Sequence, residues 1–366
     1  MSESSVSASR TRDELYARVR AVLSRGANAQ MDCREFESIT LEAIAWQRSV
    51  CPALDRALSA ASDGLVGEGL DAVVGLATDA FKTARIATFA PEREARVFYT
   101  SGTTRDVRGR HAFETTELYE TAAIAAARRW LLPEARYRFV FLAESEEDNP
   151  HSSLGAMLAM FARAWGVTDN VFCVEKSSLD VAKARAMIDR AVADGERVAL
   201  LGATFAFVHY WDAVGAEGDV RLPMGSVVMP TGGFKGRSRE LAPDELMREI
   251  QERFGVARVQ VVQEYGMTEL SSQAYEAHRE GVEPGRYVCP PWMRVDAVDP
   301  ETLEVLPRGE EGILRVIDLA NLGSCVAIQT ADLGVVYERG FVVNGRMPGA
   351  TPRGCARALD ALLSGS

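Results

Sequence analysis

Between residues 96 and 262 the chain alternates short apolar runs with longer amphipathic stretches, and this alternation restricts the fold more than any other feature. The runs at 96–99, 137–142, 171–174, 198–201, 226–229 and 256–262 have the length and the Val, Phe and Leu content of strands. Helix candidates lie between them. Thr116 can cap one that runs to Leu132; Leu154, Met157, Leu158 and Phe161 share a face of a second; Val181, Ala184 and Ile188 mark a third. The best-marked candidate runs from Pro243 to Phe254, with Pro at its start, Asp244 and Glu245 in the first turn and Gly255 just beyond its end. Strands alternating with helices predict an α/β fold, a sheet covered by helices.

The flanks read differently. Residues 13–58 are mostly helical in pattern, with Leu15, Val19 and Val22 at helical spacing and Pro52 as an interruption. The Ser-rich first dozen residues read as frayed. Beyond Pro290 the runs 294–298, 312–318, 326–330, 335–338 and 341–344 are β-type, separated by turn residues such as Asp299-Pro300 and Arg308-Gly309. The expected organisation is an N-terminal helical segment (1–34), an α/β body (35–290), a β subdomain (291–344) and a short tail (345–366) carrying Cys355.

Charge and cysteine usage exclude several functions. A net charge of −11 does not suit a phosphate-backbone binder, so nucleic acid is not an expected partner. The longest apolar stretch, 198–208, is too short for a membrane span and contains Gly202 and Thr204. The first residues lack the apolar core of a signal peptide, so a cytoplasmic location is expected. The six cysteines form no C-x-x-C pair and none stands at ligand spacing with one of the four histidines, which argues against structural zinc. In a reducing compartment they are expected as free thiols.

Four segments carry chemistry. Thr100-Ser101-Gly102-Thr103-Thr104 follows the run 96–99; its hydroxyls and backbone N–H groups can wrap a polyanion, and Gly102 allows close approach. Arg105, Arg108, Arg110 and His111 follow and can add positive charge. Thr231-Gly232-Gly233-Phe234-Lys235-Gly236-Arg237 can seat a flat ring on bare backbone, and Lys235 is one of only four lysines against 37 arginines. Gln263-Glu264-Tyr265-Gly266-Met267-Thr268-Glu269 offers an aromatic ring, a hydroxyl and a carboxylate at the end of a strand candidate, where α/β sheets place ligands. Gln329-Thr330-Ala331-Asp332-Leu333-Gly334 offers a carboxylate suited to ribose hydroxyls. Each has a plainer alternative: a polar turn, a solvated lysine in a Gly turn, a helix start with Tyr265 in the core, and a hairpin turn at Asp332. There is no P-loop, no G-x-G-x-x-G after a strand and no G-x-S-x-G elbow.

In their order these segments, followed by Gly345-Arg346, resemble the adenylate-forming superfamily, which couples a carboxylate to ATP and releases pyrophosphate. PHSSLGAM (150–157), LLGATFAFVHYWD (200–212), YGMTELSSQAY (265–275), PPWMRV (290–295), VIDLANLGSCVAIQTADLG (316–334) and RGCARALD (353–360) are similar to the acyl-protein synthetases of the LuxE family, over about 35–363. The resemblance implies the fold of that superfamily's N-terminal domain. It matches Ser101, Gly102, Thr103 and Thr104 to the phosphate loop, and Gly232, Gly233 and Tyr265 to the adenine pocket; Gly266 and Met267 are counted with them as cofactor-binding residues. It matches Thr268 and Glu269 to the phosphate and Mg²⁺ positions, Asp332 to the ribose, Arg346 to the arginine after it, and Cys355 to the cysteine that accepts the acyl group. ATP and Mg²⁺ are the implied cofactors. A fatty acid is the implied substrate, and an acyl reductase the implied partner.

Two departures stand out. The phosphate loop continues Arg105-Asp106-Val107-Arg108 where the superfamily has Gly and a lysine, and no lysine follows Lys235 to serve as the usual C-terminal lid lysine. Lys235 and arginines such as Arg110 are then the expected catalytic cations. An acyl- or aryl-CoA ligase and a non-catalytic scaffold subunit are the competing readings. The missing lid and the RGC ending oppose the first, and an intact Glu269 and Asp332 oppose the second.

Overall fold

The computed structural model describes residues 3–62, 68–100, 107–167, 169–232, 239, 241–347, 357 and 360–363. The chain forms two compact units built from interleaved segments. One comprises 1–125, 266–273 and 288–366, and the other 126–265 and 274–287.

The second unit carries the expected α/β layers. Strands Arg138–Glu144, Val171–Glu175, Val198–Ala203 and Val227–Thr231 pair in parallel, with Phe139 facing Ala199 and Leu201 facing Met229. Helices Ser153–Trp165, Val181–Ala193, Thr204–Val214 and Pro243–Phe254 belong to this unit. The last begins with Pro at its first turn and ends on Gly255 in the left-handed conformation. Val140, Leu200, Val228, Ile188, Phe207, Trp211 and Phe254 belong to one buried core. The aromatic run after Thr204 therefore packs the interior, with Phe207 and Trp211 rings 6.1 Å apart.

One expected strand is absent. Residues 256–262 form a 3-10 turn, Arg258–Gln260, and only Glu264–Tyr265 extends as strand. The cause is Gln260, whose side chain accepts from Ala257 N (3.0 Å) and donates to Ser226 O (2.8 Å). Val261 and Val262 stay buried, held by a single bridge to Val228.

The first unit combines helices with an antiparallel sheet. The helical pattern of 13–58 breaks twice, giving Glu3–Ser24, Cys33–Val50 and Pro52–Ala61. The first helix begins at Glu3, within the Ser-rich start. Besides Pro52, the chain turns at Gly26 (φ +77°), and Asp32 Oδ1 restarts the helix by accepting from the amides of Arg34 and Glu35. Strands Met293–Val298, Glu311–Asp318, Ala327–Val336 and Phe341–Arg346 pair antiparallel in that order, while Leu76–Ala77 joins Ala327–Val336 in parallel. Buried Gln47 ties the helices to this sheet, donating to Asn321 O and Leu322 O and accepting from Val326 N. A separate hairpin pairs Arg96–Tyr99 with Arg110–Phe113.

Candidate active site

In the second unit the strand Val227–Thr231 delivers Thr231 and Gly232 next to Glu264. Thr231 and Glu264 are register partners, and Thr231 Oγ1 donates to Glu264 Oε2 at 2.5 Å. Burial lifts the Glu264 carboxyl to about 7, which the Thr231 hydroxyl only partly offsets. Gly232 has φ +66° and an open space where a Cβ would stand, and its carbonyl accepts from Thr204 Oγ1 at 2.8 Å. The buried ring of Tyr265 lies 5.9 Å from that of Tyr287. Gly232 and Tyr265, both read as adenine-pocket residues, thus sit on adjoining strand ends; Gly233 and Lys235 lie outside the described residues.

A buried carboxylate fixes this strand end. Glu276 accepts from Arg258 Nη2 (2.6 Å), Gly285 N (2.6 Å) and Gln263 N (2.9 Å), and His278 Nε2 stands 3.1 Å away. Burial alone would raise its pKa; His278, Arg258 and the Gln263 amide outweigh burial and bring it down to about 2. The sequence reading did not include Glu276, whose only signal was a carboxylate within an otherwise apolar run, Ala274–Ala277.

The first unit holds Gly266, Met267, Thr268 and Glu269, which run as a loop and not as a helix start. Side chains bind this loop because its backbone lacks ladder partners. His111 Nδ1 hydrogen-bonds Thr268 O at 2.7 Å, and Asn321 Nδ2 donates to Glu269 O at 2.9 Å. Asp318 accepts from Ser271 N (2.8 Å), Ser272 Oγ (2.6 Å) and Ala320 N (3.0 Å). Burial drives His111 down to about 4 and Asp318 up to about 6. The Glu269 side chain is itself buried and raised to about 7, with Arg346 and Lys82 pulling the other way and Asp79 adding to the rise.

Asp332 lies within the strand Ala327–Val336, so the hairpin-turn alternative fails there. It is the register partner of Arg346, and Arg346 Nε is 3.3 Å from its Oδ1. The Asp and the Arg read from separate motifs are thus one cross-strand ion pair. Arg110 is engaged elsewhere: it pairs with Glu94, which also takes Arg85. Thr100 closes the end of the hairpin strand Arg96–Tyr99, its N donating to Gly109 O and its Oγ1 accepting from Gly109 N. Ser101, Gly102, Thr103, Thr104 and Cys355 lie outside the described residues.

Among the described residues no group of three or more His, Cys, Asp or Glu side chains could hold a metal ion. Mg²⁺ needs less than that. One or two carboxylates with substrate phosphates and waters complete its shell, and Glu269 fits that requirement. The described cysteines, Cys33, Cys51, Cys173, Cys289 and Cys325, are all free thiols. No helix among the described residues is long and apolar enough to cross a membrane.

Comparison with known proteins follows this layout. The family model described as acyl-protein synthetase, LuxE, matches residues 60–364. Two curated relatives, the long-chain-fatty-acid–luciferin-component ligases of Vibrio harveyi and Aliivibrio fischeri, are each 25% identical, over 185 and 171 residues. These alignments take in 49% and 46% of this chain, and the chain spans only 46% and 44% of the relatives' own lengths. Among solved structures, 2-hydroxyisobutyryl-CoA ligase with its acyl-adenylate and CoA superposes with TM-score 0.62 at 14% identity, covering 89% of this chain and 78% of that one. ATP-bound MatB from Rhodopseudomonas palustris gives 0.50 at 19%, covering 71% and 49%. The fold is accordingly the mixed α/β fold of adenylate-forming enzymes.

Proposed function

Because the chain belongs to the LuxE family of acyl-protein synthetases, we propose that it activates a long-chain fatty acid with ATP and passes the acyl group to a thiol, Cys355. The observation that carries this reading is the family match over residues 60–364, with Asp332 and Arg346, the residues the resemblance assigns to the ribose and to the arginine after it, meeting as a cross-strand ion pair. Asp332 is suited to accept from ribose hydroxyls and Arg346 to face phosphate oxygens. Tyr265 and Gly232 would offer a ring and bare backbone to adenine.

The first step joins a carboxylate oxygen to the α-phosphorus and breaks the bond to the β-phosphate oxygen, which leaves as pyrophosphate. The protein positions the two anions and balances their charge. Glu269 would hold Mg²⁺, which when bound supplies positive charge to the phosphate oxygens. In the second step the Cys355 thiolate, its proton lost to solvent, attacks the acyl carbon; a thioester forms and AMP leaves. Lys235 is proposed as a further cation for the first step. The reaction is set in the cytoplasm, where thiols remain reduced, with an acyl reductase as the consumer of the thioester.

The test is pyrophosphate release from ATP across a panel of carboxylic acids, followed by intact-mass analysis. Wild type should release pyrophosphate with long-chain acids and carry a hydroxylamine-labile acyl group. Cys355→Ser should release pyrophosphate without accumulating that adduct. An identical adduct on both proteins places the acyl group on another residue. Consumption of the adenylate by added CoA, with neither protein labelled, turns the reading to a CoA ligase.

A further inference from the structure

The fold of the first unit brings in a cation from upstream of the phosphate-loop motif. Leu76–Ala77 lies parallel to Ala327–Val336, with Ala77 opposite Gln329 and Thr78 N donating to Gln329 O at 3.2 Å. The two segments run in the same direction, and the chain leaves the pairing at Asp79, while Asp332 stands three residues past Gln329 on its neighbour. A short helical turn, Ala80–Thr83, follows. Phe81 seals it into the interior, 2% exposed, its ring edge-on to that of His111 at 5.5 Å. His111 in turn holds Thr268 O. The turn is therefore braced against both the Asp332 strand and the Thr268–Glu269 loop.

Lys82 projects from this turn. Its Nζ sits 2.8 Å from Asp79 Oδ1, and its side chain remains 43% exposed. The ammonium acts electrostatically on the Glu269 carboxyl, as does Arg346. Lys82 is one of four lysines in the chain, and its ammonium is a compact point charge suited to a single anionic oxygen.

We propose that Lys82, oriented by Asp79 on the turn braced against the Asp332 strand and the Thr268–Glu269 loop, binds an anionic oxygen of the reacting pair, either on the ATP phosphates or on the acid's carboxylate. This rests on the adenylation reading above. Lys82 would neutralise charge as the carboxylate–phosphorus bond forms and pyrophosphate departs, a role in which no proton is transferred. Asp79 is a positioning residue, since it holds the ammonium in place.

The test compares wild type, Lys82→Ala and Lys82→Arg in ATP–pyrophosphate exchange with hexadecanoate, alongside calorimetric titration with ATP and with adenosine. Loss of a charge-assisted contact predicts that kcat/KM falls about 10- to 100-fold in Lys82→Ala, with partial recovery in Lys82→Arg. A half-exposed lysine can be truncated without emptying the core, so the thermal midpoints should agree. Weaker binding of ATP but not of adenosine assigns the contact to phosphate. A raised KM for hexadecanoate with ATP binding unchanged assigns it to the carboxylate. Exchange by Lys82→Ala within twofold of wild type overturns the proposal and leaves the adenylation reading intact, as does a loss matched by a lowered midpoint with both KM values unchanged. No exchange by wild type with any carboxylate overturns both.

Discussion

His111 gives the most direct handle on the loop that carries Thr268 and Glu269. It is 1% exposed, and burial outweighs its bonds to Thr268 and Asn321, lowering its pKa from 6.5 to about 4. The native protein therefore keeps the imidazole neutral where the unfolded chain would protonate it. Stability contributed this way is present above pH 6.5 and is lost as pH falls toward 4, because the unfolded state gains the proton first. The full gap amounts to about 3 kcal/mol, and about 2 kcal/mol of it is gone by pH 5. His111→Asn removes the titration while keeping an N–H that can reach Thr268 O. Urea unfolding of both proteins at pH 7.5 and pH 5, followed by tryptophan fluorescence, isolates the effect. The advantage of wild type over the variant should shrink by about 2 kcal/mol between the two pH values. Neighbouring carboxyls with raised pKa, Glu269 and Asp318, have the opposite sign but are common to both proteins and cancel in the difference. Parallel pH dependence would show that the native imidazole titrates like a free one and would refute the buried-neutral argument.

Two further substitutions probe the second unit. Glu276→Gln leaves Arg258 without its buried counter-charge, so it should cost about 3–5 kcal/mol in a urea titration; a change under 1 kcal/mol would mean that the cluster opens to water. Gly232→Ala meets no atom within 4 Å but must hold φ +66°, so backbone strain alone should cost about 1–2 kcal/mol, read as a lower thermal midpoint, and an unchanged midpoint would place this residue in another conformation.

The parallel core of the second unit was legible because each buried strand is a continuous apolar run and each helix has a repeating face. Arg138–Glu144 and Val198–Ala203 needed only hydrophobicity to be found. Residues 256–262 are as apolar as those strands, and they fail as a strand for a polar reason, the two hydrogen bonds of Gln260. Hydropathy cannot register that. The interleaving of segments between the two units was also hidden, since periodicity reports an element's local face and not its distant partner. Asp332 and Arg346 were found as separate motif residues, and their pairing depends on a register shift at Leu333/Gly334 that no pattern marks. Lys82 was passed over because its neighbours are an unremarkable Asp-Ala-Phe-Lys-Thr turn; only the parallel pairing of Leu76–Ala77 gives it significance.

The most distinctive sequence segments of the first unit have a common physical basis. Residues 269–273 are buried and lie outside helix and ladder, so apart from the turn bond from Leu270 N to Met267 O the buried amides and carbonyls there call for side-chain partners. The YGMTELSSQ segment supplies Ser271 and Ser272, and the VIDLANLGS segment supplies Asp318 and Asn321. They meet reciprocally: Asp318 takes Ser271 N and Ser272 Oγ, Asn321 Oδ1 takes Ser271 Oγ, and Asn321 Nδ2 gives to Glu269 O. Trp292, from the PPWMRV segment, adds its indole N–H to Ser272 Oγ at 3.0 Å. Three segments far apart in the chain are thus parts of a single hydrogen-bond network, and none of these groups needs to touch a ligand. Their role is to hold the backbone at Thr268 and Glu269 in place. A network of this kind is costly when half complete, because removing one member strands its partners in a low-dielectric interior. Removing Asp318 or Asn321 should therefore disturb the backbone at Thr268 and Glu269, the residues proposed to act from this loop.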